Sequence, residues 1–358
     1  MGIFSKRRRR KQNDSTLGKL PFLRWLGPGA TSAAVIAVAY MAVTGKWDFS
    51  ILDTFRGSDD VVRLEPISLG NRSERPPESI RVATFNIKTF GESKSSSQEV
   101  MQQIAQIVYR FDVIAIQEVR SSDGEGTPIR RLVDLINASG GQYAATLSDP
   151  IGTDGYKECY AFLWDESRVR MIPDSAYVVF DSTNRITREP MVASFEARLP
   201  PGDMRRPFRF TAINAHTKPD LVNPSSPDGE INVLDDVFVR VRDYESQVAG
   251  EDDIILLGDL NVNSKNLGEL ATIPNVHSIA GDLPTNTRRT ETYDHILIDY
   301  DVTREFTQAY GILDLQKDLQ LTEEQALLIS DHMPVFADFS RYEVPLTRTA
   351  TRPLPVIR

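Results

Sequence analysis

The stretch Ile254-Ile255-Leu256-Leu257-Gly258-Asp259-Leu260-Asn261 restricts the possible folds more than any other part of the chain. Four apolar residues in a row, entered from Glu251-Asp252-Asp253, leave no face for water, so they read as a strand in a sheet covered on both sides. Asp259 and Asn261 are two apart. In extended geometry their side chains share a side, which sets a carboxylate beside a carboxamide at the sheet's edge. That pair suits a hard divalent cation or a phosphate oxygen, but a strand followed by an Asx turn would use the same residues. The other strand ends have to decide between these readings.

Several apolar runs elsewhere also stop on a polar residue. Ser79 to Asn86 alternates as a strand and ends on Asn86, and Asp112 to Val119 closes on Glu118. Glu158 precedes the run Cys159 to Trp164, and Phe208 to Ile213 leads into Asn214-Ala215-His216. Tyr293-Asp294-His295 and Ser330-Asp331-His332 introduce two more apolar runs. Helical spacing is expected over Ser97 to Tyr109 and over Glu230 to Ala249. Short strands of both patterns with a few helices between them predict two packed sheets with helices outside and loops converging at one edge. Each polar residue has an ordinary alternative: a solvated strand terminus for Glu118, a hydrogen-bonded structural role for His216. Together Asn86, Glu118, Glu158, His216, Asp259, Asn261, Asp294, Asp331 and His332 form an oxygen-rich set with no thiolate, which matches Mg²⁺, Mn²⁺ or Ca²⁺ better than a closed zinc site.

Charge restricts the partners. The 358 residues carry a formal net charge of -9, and the distribution is uneven. Residues 1–45 hold eight Lys/Arg against Asp14 alone, a balance of +7, and the remainder holds 33 basic against 49 acidic residues, or -16. An acidic body does not attract phosphates by itself, so a domain acting on polyanions needs bound cations or a local basic patch. Cys159 is the only cysteine, which excludes an intrachain disulfide and a cysteine-based zinc site. Trp25 to Gly45 contains no charged residue over 21 positions, enough helix to cover about 30 Å. Arg7 to Lys11 precede it. The positive-inside rule then predicts a cytoplasmic basic segment (1–24), a single-pass membrane anchor (25–45), and the rest of the chain outside the cytoplasm, with a cleaved signal peptide as the rival. A linker is expected over 46–78, a folded domain over 79–340, and an extended, mobile tail over 341–358.

The chain resembles the endonuclease/exonuclease/phosphatase superfamily. The resemblance lies in Ala83-Thr84-Phe85-Asn86, Ile116-Gln117-Glu118, Gly258-Asp259-Leu260-Asn261 and Ser330-Asp331-His332-Met333-Pro334-Val335, in family order. Within it, Phe85 to Glu92, Gln117-Glu118-Val119-Arg120, Tyr156-Lys157-Glu158, Arg188-Glu189-Pro190, Glu230-Ile231-Asn232 and Ala309-Tyr310-Gly311 are similar to the DNase I branch, from about Ser79 to Phe339. The resemblance implies an α/β four-layered sandwich of two mixed β-sheets flanked by helices. It implies a metal-dependent, monomeric endonuclease that hydrolyses DNA. His216 with Glu158 and His332 with Asp294 would be two histidine–carboxylate dyads, one histidine taking a proton from water and the other protonating the departing oxygen. Glu118 and Asn86 would hold Mg²⁺ (or Mn²⁺ or Ca²⁺), Asp259 and Asp331 would bind a second ion or the phosphate, and Asn261 would hydrogen-bond the phosphate. Lys88, Arg120, Tyr156 and Arg188 would meet the DNA.

Some positions depart from the DNase I pattern. Lys88, Cys159 and His295 each stand where that branch has arginine: Lys88 keeps the charge but loses the fork geometry, and the other two remove positive charge beside the site. The same fold could instead hydrolyse a sphingomyelin-type phospholipid or an inositol phosphate. A non-catalytic binding module is the third reading.

Overall fold

The structure is a computed structural model, and it describes residues 64–70, 75–121, 125–152 and 157–345. The expected anchor over 25–45, the basic segment before it, most of the expected linker, Tyr156, and residues 346–358 of the expected tail lie outside the described residues.

Thirteen strands and six α-helices follow one another among the described residues. The strands are β1 (Ser79–Phe90), β2 (Val113–Val119), β3 (Tyr143–Leu147), β4 (Cys159–Asp165), β5 (Val169–Met171), β6 (Tyr177–Val178), β7 (Met191–Ala197), β8 (Arg209–His216), β9 (Ile254–Asp259), β10 (Val276–Ser278), β11 (Asp294–Asp299), β12 (Phe306–Ile312) and β13 (Val335–Ser340). The helices are α1 (Glu92–Ser95), α2 (Gln98–Val108), α3 (Thr127–Ala138), α4 (Glu230–Ala249), α5 (Leu315–Asp318) and α6 (Glu323–Ile329). One sheet runs β12-β13-β1-β2-β4-β3 and the other β10-β11-β9-β8-β7-β5, with β6 beside β7. Both are mixed: β1–β2 and β8–β9 are parallel, each joined through a helical crossover, and the remaining pairs are antiparallel.

Three apolar layers explain why these elements stack. Between the sheets lie Val82, Phe162, Phe195, Phe210, Ile255 and Ile296, all buried. Phe195 stacks on Phe210 with ring centroids 5.6 Å apart. Outside the first sheet, Met101, Ile104 and Val108 of α2 and Leu132 and Ile136 of α3 cover Phe85, Ile114 and Ile116. Outside the second, Leu234, Val237 and Val241 of α4 cover Ile213, Ile254 and Leu256. Successive residues of β9 therefore serve both layers, which is what its unbroken apolar run requires. The result is helices, sheet, sheet, helices. A polar clamp also crosses between the sheets: Asn214 of β8 accepts from Gln117 Nε2 (2.7 Å) and donates to the carbonyls of Ile116 (3.2 Å) and Ala161 (3.1 Å).

The expected single-pass membrane protein with an extracytoplasmic catalytic part is corrected. Among the described residues no helix is long and apolar enough to cross a membrane. The longest, α4, spans 20 residues but is apolar on one stripe only and carries Asp235, Asp236, Arg240, Arg242 and Asp243 on the rest. Upstream of Ser79, Leu69 is buried against the first sheet's helices, and the buried Arg75 pairs with Asp112 (2.6 Å) and Asp165 (3.0 Å). At the other end Arg341 and Tyr342 are also buried, and Arg341 O accepts the N–H of Phe208.

Candidate active site

Strand register gathers the polar residues at one edge. In the second sheet, His216 ends β8 opposite Asp259 at the end of β9, and Asp294 opens the antiparallel β11 opposite the same Asp259. In the first sheet, Asn86 pairs with Gln117 one residue before Glu118, while Glu158 and His332 stand just ahead of the antiparallel β4 and β13. Parallel strands ending and antiparallel strands beginning at one edge bring residues up to 246 positions apart into a single cleft.

Each histidine is held by a carboxylate from the opposite sheet. His216 Nδ1 lies 2.6 Å from Glu158 Oε1, and His332 Nδ1 lies 2.9 Å from Asp294 Oδ2. Their free edges then converge on one atom: Asp259 Oδ2 is 3.5 Å from His216 Nε2 and 3.6 Å from His332 Nε2. The same oxygen accepts from Asn86 Nδ2 at 2.9 Å, and that amide nitrogen also reaches Glu118 Oε1 at 3.2 Å. Glu118 is aimed by the backbone. It has φ 60, the ladders on both sides of it shift register, and the N–H of Thr89 donates to its Oε2 at 2.9 Å.

Electrostatics separates the two dyads. Burial raises Glu158, but the His216 hydrogen bond and the charges of His216 and Arg188 outweigh it and hold the carboxyl below its ordinary range. Arg188 donates through Nη1 to Glu158 (3.0 Å) and through Nη2 to Thr217 O (2.7 Å). Its side chain is only 11% exposed, so the guanidinium that the resemblance assigns to DNA stands behind the dyad and fixes Glu158. Among the described residues, the partner of His332 has no such cation behind it. Burial would lower it, yet Asp294 and Asp259 push it up to about 10.

The remaining expected residues divide. Lys88 Nζ pairs with Asp331 Oδ2 at 2.5 Å on the cleft's rim, and burial of Asp331 is outweighed by Lys88 and His332, so its carboxyl titrates low. Arg120 donates to Lys157 O at 2.8 Å. Asp259 and Asn261 do not share an extended face as expected. The strand stops at Asp259, Asn261 turns left-handed at φ 53, and its N–H donates to Asp259 Oδ1 at 3.0 Å. The Asx turn and the site are thus one structure, with Asn261 Nδ2 donating to Thr217 O at 2.9 Å.

Sequence reading missed three supports. Thr285 Oγ1 donates to Asp294 Oδ2 at 2.7 Å, Tyr160 OH accepts the N–H of His216 at 3.0 Å, and Lys94 Nζ donates to Ile329 O at 2.6 Å. Burial brings Lys94 down to about 8 against the pull of Glu118 and Asp331. Only Tyr160, a phenol inside the apolar run after Glu158, left a signal.

Oxygen donors dominate where a cation would sit. Asn86 is fully buried, yet its Oδ1 makes no hydrogen bond among the described residues, and the carboxylates of Glu118 and Asp259 lie on the other arm of the same amide. An orphaned amide oxygen flanked by carboxylates fits a hard divalent cation. Asp259, Asp294 and His332 also place one ligand atom each within 4.8 Å, but His332 and Asp294 already engage one another.

A model of the Endonuclease/Exonuclease/phosphatase family matches residues 83–332. Deoxyribonuclease-1-like 1 of Homo sapiens is 32% identical over 269 residues, covering 72% of this chain and 83% of that one. Deoxyribonuclease gamma of Rattus norvegicus is 30% identical over 279 residues, covering 72% and 83%. A solved structure of a functionally unknown protein from Enterococcus faecalis V583 shares the fold with a TM-score of 0.50 at 16% identity, covering 73% of this chain and 100% of that one.

Proposed function

Because the chain belongs to the endonuclease/exonuclease/phosphatase family, we propose that it is a divalent-metal-dependent phosphodiesterase that cuts DNA. The observation that carries this reading is the pair of imidazole Nε2 atoms facing one Asp259 oxygen at 3.5 and 3.6 Å, each ring held from behind by a carboxylate. With Nδ1–H donated to Glu158 or Asp294, the tautomer is fixed and Nε2 is the atom presented to the cleft. A neutral Nε2 takes the proton of a water attacking phosphorus, and a protonated Nε2 on the other side gives its proton to the departing oxygen. Asp259 lies between them, 3.5 and 3.6 Å from the two Nε2 atoms. Asn261 spends one amide hydrogen on Thr217 and keeps the other for a non-bridging phosphate oxygen, where negative charge grows in the transition state.

Glu118, Asn86 and Asp259, with Asp331 nearby, would hold the Mg²⁺ (or Mn²⁺ or Ca²⁺), which when bound supplies Lewis-acid neutralisation of the phosphate. Lys88 and Arg120 stand at the rim to meet the backbone of the substrate. The DNase relatives at about one-third identity support DNA as that substrate.

Supercoiled plasmid incubated with the purified chain tests the proposal. Nicking is expected in Mg²⁺, none in EDTA, and a fall of about 10³-fold or more for His216→Ala combined with His332→Ala. Sphingomyelin and inositol phosphates assayed in parallel are expected to stay intact. Full nicking by the double variant overturns the assignment.

A further inference from the structure

A second acidic group lies at the opposite end of β9. Asp253 immediately precedes the strand, whereas Asp259 ends it, so the two ends are about 20 Å apart. Asp253, Glu305 and Glu343 each place one carboxylate oxygen within 4.8 Å of the others, beside a cleft of about 640 Å³ that they help to line. Acidic residues alone would mean little. Here, however, Asp253 is 5% exposed and Glu305 2%, and Asp253 Oδ1 and Glu305 Oε2 are buried with no hydrogen bond among the described residues. The hydroxyl of Thr303 is buried beside Asp253 and is the one donor turned toward it, which leaves Glu305 Oε2 with none.

The rest of the group is already engaged. Glu305 Oε1 accepts the N–H of Val344 at 2.5 Å and Glu343 Oε1 that of Arg209 at 3.0 Å, which leaves each glutamate one oxygen over. Glu251 accepts the N–H of Asp253 at 2.9 Å and faces Arg209 at 3.7 Å, and burial still pushes it up to about 7. Arg205 and Arg206 line the same cleft, and Arg206 and Arg209 act on Glu343 from a distance, whereas Asp253 and Glu305 have no cation within ion-pair distance among the described residues. Buried oxygens without donors cost free energy unless something fills the gap.

We propose that Asp253, Thr303, Glu305 and Glu343 form a structural site for a hard divalent cation, Ca²⁺ by its all-oxygen donor set, that ties the start of β9 to the start of β12 and the segment after β13. The site is separate from the catalytic edge and does not depend on its reading. Without a cation, burial and the facing Glu305 carboxylate push Asp253 up to about 9, so protons are the competing way to quiet the cluster.

Thermal unfolding of the full-length chain, stripped with EGTA and returned to Ca²⁺ alone, separates the possibilities. In Glu118→Gln, which disables the cation site proposed at the catalytic edge, saturating Ca²⁺ is still expected to raise Tm by about 5 °C. Asp253→Asn and Glu305→Gln, each added to Glu118→Gln, are expected to lose that rise. Should either variant fail to fold, Glu343→Gln, on the more exposed acid, is expected to weaken Ca²⁺ binding at least about tenfold by calorimetric titration. The proposal is overturned if the rise persists in the folded cluster variants, if it vanishes in Glu118→Gln, if Glu343→Gln binds as the native chain does, or if the native chain shows no rise.

Discussion

Glu158 carries two loads at the residue scale, since it orients His216 and neutralises the inward-facing Arg188. Its carboxyl lies below its ordinary value of 4.5 in the folded chain, so the unfolded chain takes up the proton first as pH falls. The stabilisation is therefore present above about pH 4.5 and lost as pH drops through the lower folded value. Glu158→Gln is expected to cost about 3 kcal/mol at pH 7, because Arg188 is left buried beside a neutral partner. Urea unfolding at pH 7 and again near pH 3 checks this, with the gap between native and variant narrowing at the lower pH. The gathering of Glu158, His216, Asp259 and His332 was legible because all four stand at or beside strand ends that meet at one edge. Thr285 was not, since a threonine in a loop reads the same whether or not it orients a carboxylate. Arg188 was legible as a motif residue but not in direction: nothing in its neighbours says that the guanidinium turns inward.

Elements are where the sequence was most and least informative. The continuous apolar run of β9 and the amphipathic spacing of α4 translate directly into a doubly covered strand and a helix over Glu230–Ala249. Thr127–Ala138 was passed over although Ile129, Leu132, Leu135 and Ile136 bear a helical stripe. Short β5, β6 and β10 and the largely exposed β12 carry too few buried positions for any period to show. Gly258 states the geometric demand on β9 most sharply. It sits at φ 149 opposite Ala215 in the parallel ladder, and a Cβ there would come within 1.8 Å of the Ala215 carbonyl oxygen. Since backbone would have to move, Gly258→Ala is expected to destabilise by about 3 kcal/mol and to carry Asp259 out of reach of both imidazoles. Denaturant unfolding and plasmid nicking measured on the same preparation check both effects.

On the scale of the whole molecule, the proposed reaction asks an acidic chain to hold a polyanion with few contacts. Lys88 and Arg120 remain at the rim while Arg188 faces inward. Duplex affinity of the His216→Ala variant, followed by fluorescence anisotropy, is therefore expected to fall with salt at a log–log slope of about -2. The folded unit also reaches further upstream than the alternation starting at Ser79 suggested. A fragment beginning at Ser79 forfeits Arg75 and leaves Asp165 buried without that partner, so it is expected to be less stable than one beginning at Leu64 by about 3 kcal/mol in urea melts. That boundary was not legible because one buried arginine in a Pro- and Glu-rich stretch has linker composition.

Each imidazole takes its carboxylate from across the gap between the sheets, and Asn214 pins that gap. The proposed acid and base thus share a single mechanical tolerance. A ligand that wedged the layers apart by an ångström, far from the scissile bond and without touching a nucleotide, would disarm both ends of the reaction together.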